Sequence, residues 1–194
     1  MLPLKIAIAS LVLALAACNH TPSEPDAPAK PAETSALPPL EWTAPGTWSP
    51  DATQVKGVKK AAYKTAPAGS AKEGATVEVF FFGTGAPGDP EPHFKELYTQ
   101  FDGDVGASAV KDSFDVHGMK VETREVAGTF KIDLGPKGGP QKRAPAQMVK
   151  KDYRLIAAVV KTPDRGNWFF KMVGPEDSVQ SARSSFHELL ESVR

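Results

Sequence analysis

Gly83, Gly85 and Gly88 follow the apolar run Val77 to Phe82 and match the spacing G-x-G-x-x-G. Such a loop holds a pyrophosphate when the first backbone N–H groups of the next helix point at it. Here Pro87, Pro90 and Pro92 stand where those donors would be, and proline has no N–H. The residues read instead as a strand, a stiff turn and a helix, with Asp89 as N-cap and Pro90 at the first helical position. The acid of a dinucleotide site should end a second parallel strand; Asp102 and Asp104 lie at about the right distance, but Lys95 to Phe101 reads as helix. Neither a nucleotide nor any other cofactor is expected.

The remaining reactive residue types are scattered. Asp102-Gly103-Asp104 has the alternating carboxylates that open a calcium loop, yet the third acid and the closing glutamate are missing, so these two are only weak metal candidates. Gly106-Ala107-Ser108-Ala109-Val110 lacks the second glycine of a nucleophile elbow. His20, His93, His117 and His187 form no i, i+4 pair, which leaves a zinc site without a signal. No catalytic residue is assigned. Lys137, Lys142, Arg143, Lys150, Lys151 and Arg154 gather in and after the Gly/Pro-rich stretch Gly135 to Gln147, and the first five are the expected contact for a partner with an acidic surface.

The beginning of the chain predicts location. Lys5, the apolar run Ile6 to Ala17 and the small residues before Cys18 have the form of a secretory signal. That run is twelve residues long, too short for a bilayer span of about 20. Leu15-Ala16-Ala17-Cys18 resembles the lipobox of bacterial lipoproteins, and the resemblance implies cleavage after Ala17 and diacylglycerol and acyl chains on Cys18. Cys18 is also the only cysteine of 194 residues, so no intramolecular disulfide exists. Two or more acyl chains anchor stably. The expectation is a bacterial envelope protein on the outer membrane, facing the periplasm, because Asn19 replaces the Asp associated with inner-membrane retention.

Three segments follow: a signal at 1–17, a lipidated cysteine with a disordered Pro/Ala-rich tether at 18–44, and a globular domain at 45–194. Six prolines fall between Asn19 and Glu41, a composition unable to bury a core. The 23 cations and 23 anions balance, which argues against nucleic acid. In the domain, Val79 to Phe82 and Tyr153 to Val160 are apolar on both faces, and the second of these runs and Trp168 to Val173 flank a Thr162 to Asn167 turn as a hairpin. Further strands are expected at Val58–Lys64, Met119–Val126 and Thr129–Leu134. Phe94, Leu97, Tyr98 and Phe101 draw one helical stripe; Val179, Ala182, Phe186, Leu189, Leu190 and Val193 draw another. The expected class is α+β: a single-domain α-β-α sandwich with a mostly antiparallel central sheet flanked by helices.

Ala44-Pro45-Gly46-Thr47-Trp48, Leu97 to Phe101, Gly128-Thr129-Phe130, Tyr153 to Val160, Trp168 to Pro175 and Phe186 to Ser192 together resemble the PsbP-like superfamily. That superfamily includes extrinsic photosystem proteins and DcrB-type bacterial lipoproteins. The resemblance implies an accessory, non-enzymatic role and carries over no active-site residue. The leading expectation is a lipid-anchored, non-catalytic binding or scaffold module engaging a membrane- or wall-associated protein. Two alternatives stay open: a small hydrolase or metal-dependent enzyme whose site assembles only in three dimensions, and a carrier of a small apolar ligand.

Overall fold

Strands that are apolar on both faces belong inside a sheet covered on both sides; the computed structural model, which describes residues 39–85, 88–133 and 147–194, places Tyr153 to Val160 there, while Phe82 of the other such run lies beyond its strand and is 47% exposed. Numbered along the chain, the strands are β1 (Ser49–Pro50), β2 (Lys59–Lys64), β3 (Thr76–Phe81), β4 (Val110–Val116), β5 (Met119–Asp133), β6 (Gln147–Lys161) and β7 (Asn167–Pro175). They form one seven-stranded sheet in the order β1-β2-β3-β7-β6-β5-β4. Every neighbouring pair is antiparallel. The helices are α1 (Glu91–Tyr98) and α2 (Glu176–Glu191).

Side-chain alternation divides the core in two. Ile156, Ala158 and Val160 of β6 and Trp168, Phe170 and Met172 of β7 pack with Val179, Ala182, Phe186, Leu189 and Leu190 of α2. Their sequence neighbours Leu155, Ala157, Val159 and Phe169 pack with Phe94 and Leu97 of α1. The central strands therefore bury both faces, each large side chain contributing about 1.5–3 kcal/mol. All six residues of the expected carboxyl-terminal stripe are buried.

Several boundaries differ from expectation. The packed chain starts before residue 45: Leu40 is buried, and Trp42 lies against Trp168 and Phe170 with ring centroids 5.8 Å from each. Glu41 and Arg194 exchange two backbone hydrogen bonds of 3.0 Å, so 39–44 belong to the domain rather than to a tether. The helix predicted through Phe101 stops at Tyr98; Phe101 instead bridges to Phe130 in strand fashion. Its N-cap is Pro90, while Asp89 Oδ1 still accepts the Glu91 N–H at 3.0 Å. Gly128, expected to separate two strands, sits at a bulge inside the continuous β5, with φ +155°. β4, not expected at all, joins β5 through His117-Gly118, whose φ of +48° and +80° suit a tight two-residue hairpin turn.

β5 and β6 outrun their neighbours. β7 reaches only Tyr153 on β6, and β4 reaches only Glu125 on β5. Beyond those points the two strands continue as a ribbon to Asp133 and Gln147, with Gln100–Asp102 strapped along the β5 side by Asp102 N–H to Thr129 O and Lys131 N–H to Gln100 O.

Candidate functional site

The ribbon carries the described part of the expected partner contact. Lys150 and Lys151 lie on it, whereas Lys137, Lys142, Arg143 and residues 135–146 as a whole fall outside the described residues, as do Ala17 and Cys18. Met148 and Val149 beside the lysines are exposed. Lys150 Nζ donates to Glu73 Oε1 at 2.8 Å, and Tyr153 Oη donates to the same oxygen at 2.5 Å. These two bonds, Lys150 first, hold the Glu73 carboxyl below its ordinary value. Burial, then the bond to Glu73, pushes the Tyr153 hydroxyl up. Lys151 is exposed and has no ion pair with a described residue.

Arg154 does not join this group. It shares the α2-facing alternation of Ile156 and Ala158, and it meets Glu125 of β5 and Glu176 of α2. Glu125 is nine-tenths buried and also accepts from Arg183 of α2. Burial alone would lower the Arg154 guanidinium, but its bonds to Glu176 and Glu125 outweigh that and hold it above its ordinary value. Two acids and two guanidiniums thus close a neutral network. Next to it, a cleft of about 180 Å³ runs between α2 and the β4 side of the sheet, lined by Val110, Phe114, Ile156, Phe186 and Leu190. His187 stacks on Phe114 at 4.7 Å between ring centroids and closes one flank. This cleft was not anticipated, although Glu125 carried a signal: it shares the core-facing parity of Val121, where a carboxylate needs partners.

The other candidates do not converge. Asp102 pairs with Lys131 at 3.1 Å, and Asp104 lines a separate open surface hollow with Tyr98 and Lys111. Among the described residues no group of three His, Cys, Asp or Glu could hold a metal ion. Ser108 Oγ donates to Val105 O within a short 3-10 turn. His117 Nδ1 lies 2.8 Å from Val193 O, and His93, its pKa lowered by burial, sits against Phe169. The glycine loop meets the β6–β7 turn: a Cβ on Gly166 would lie 3.0 Å from Gly83 O and Thr84 Cα. The glycines there permit two turns to touch.

What these elements define is an α+β domain built on an antiparallel seven-stranded sheet with two helices. Among solved structures it is similar to the solution structure of cyanobacterial PsbP (CyanoP) from Synechocystis sp. PCC 6803, at 11% sequence identity over 87% of this chain and 99% of that one, with a TM-score of 0.44. No protein-family model matches the chain, and no curated protein does. Among the described residues no helix is long and apolar enough to cross a membrane.

Proposed function

We propose that this chain is a lipid-anchored, non-catalytic binding module of the PsbP-like kind, held at the bacterial outer membrane through Cys18 and facing the periplasm. The observation that carries the reading is the placement of the ribbon. The chain enters the domain at Leu40 and Glu41 beside Arg194, at the end of the sheet that holds the His117 and Gly166 turns. The ribbon with Met148, Val149, Lys150 and Lys151 leaves the opposite end. The ribbon thus lies at the end of the sheet away from the point where the chain enters, and a shared membrane raises the effective concentration of any partner held there. The partner is an envelope protein with an acidic surface.

The test is crosslinking in intact cells. Replacing Lys137, Lys142, Arg143, Lys150 and Lys151 by Gln should weaken crosslinks to envelope proteins and their salt dependence; an unchanged crosslinked set overturns the contact. Cys18→Ser should abolish fatty-acid labelling and membrane fractionation. The apolar cleft beside α2 favours a second reading, a carrier of a small apolar ligand. Saturable uptake of a fluorescent apolar probe, lost on Phe114→Arg, would support that reading.

A further inference from the structure

Among the described residues β4 is an edge strand, with β5 on one side and no strand on the other. Its turn fixes which groups are free. A two-residue turn closes on a bonded pair, here Val116 with Met119, so bonded pairs recur at Phe114, Asp112 and Val110. The N–H and C=O groups of Lys111, Ser113 and Asp115 therefore face away from the sheet. All three residues are exposed. Among the described residues neither the Lys111 nor the Asp115 side chain has a hydrogen bond or an ion pair. The outward N–H of Ser113 is covered by its own neighbour, Asp112 Oδ1, at 2.8 Å. Val110, on the cleft side of the same strand, is 61% exposed.

We propose that β4 pairs antiparallel with β4 of a second copy of this chain, about a two-fold axis through Ser113. In that register Lys111 lies opposite Asp115 of the second copy, and Asp115 opposite its Lys111. The outward backbone groups of residues 111, 113 and 115 then meet their counterparts as bonded pairs. Charges on an edge strand ordinarily keep like edges apart. Two-fold symmetry reverses that here, because the unpartnered cation and the unpartnered anion stand at equal distances on either side of the axis. Slipping by two residues one way sets Asp112 against itself. Slipping the other way leaves Lys111 opposite the His117 turn and Asp115 opposite Ser113. A slip of one residue breaks the bonding pattern and changes the faces.

The pairing has two further consequences. Asp112 must release the Ser113 N–H, so the edge is capped in the single chain and opened on association. Because the axis is perpendicular to the sheet, both α2 helices stay on one face. The two apolar clefts then flank a single seam, and Val110 comes to lie opposite Val116 of the second copy.

The experiment uses the full chain carrying Cys18→Ser and Ser113→Cys, which places the sole thiol at the axis, with a short bis-maleimide crosslinker. A crosslinked dimer is expected. Lys111→Asp or Asp115→Lys alone, each setting like charges face to face, should cut the yield by about tenfold. The double reversal Lys111→Asp/Asp115→Lys should restore it, which a merely misfolded variant would not do. Absence of a dimer, a yield indifferent to the single reversals, or a double reversal that stays at the level of the singles each overturns the proposal.

Discussion

Arg183, half exposed on α2, reaches across the cleft to Glu125, which is buried in the sheet and already bound to Arg154. The two ends of this pair are unequal. Glu125→Gln removes the charge that two guanidiniums share, and breaking a buried pair costs about 3–5 kcal/mol. Arg183→Ala leaves Glu125 with Arg154, and its half-exposed side chain limits the loss to about 1 kcal/mol. Urea unfolding of the two variants measures the difference; equal losses would place the energy elsewhere.

Trp42 tests the beginning of the domain. Its indole packs on Trp168 and Phe170, and its Nε1 donates to Tyr63 Oη at 3.0 Å. Trp42→Ala should therefore cost about 2–4 kcal/mol by thermal or urea unfolding. A loss within experimental scatter would return residues 39–44 to the tether.

Two glycines should behave oppositely. A Cβ on Gly74 would lie 1.8 Å from the backbone oxygen of Thr65, which cannot swing aside because Thr65 and Ala75 are tied by Thr65 N–H to Ala75 O and Ala75 N–H to Thr65 Oγ1. Gly74→Ala should destabilise by about 1–3 kcal/mol or more. A Cβ on Gly85 meets nothing within 4 Å. Gly85→Ala should leave both stability and nucleotide affinity as they are, with no saturable NAD or ATP binding before or after; such binding by the parent chain would restore the dinucleotide reading.

Acid should act through Glu78. Burial would raise its pKa, but Lys171, 2.7 Å away, and then Lys59 outweigh that and bring it below the ordinary 4.5. A carboxylate depressed in the folded state adds stability above its unfolded pKa and loses it as pH falls through the folded value. Melting temperature should thus fall on acidification below about pH 4.5 partly through this group. Glu78→Gln should lower the neutral-pH value and flatten the acid decline. A decline of unchanged slope would assign the effect to other carboxylates.

Residues buried at a regular spacing were the readable part of the sequence. Val77 and Val79 of β3, Leu155 to Val160 of β6 and the stripe on α2 each have a periodicity that only one geometry satisfies. β4 was not readable because VKDSFDV is an edge: Lys111, Ser113 and Asp115 leave one face solvated, Asp112 interrupts the apolar alternation of the other, and only Val116 is buried. The Glu125 network escaped for a different reason. Its members lie on β5, β6 and α2, far apart in the chain, so no local period relates them.

The paired backbones of Glu41 and Arg194 make the domain nearly a closed ring. A short linker could join the two ends where they already touch, and the chain could be opened instead at the His117-Gly118 turn, whose tip joins β4 to β5. Such a circular permutant would keep the sheet order and exchange only the point of departure. Its new ends would still emerge from the same end of the sheet, beside Val193, so the change would move the point of departure by no more than the width of the sheet's end.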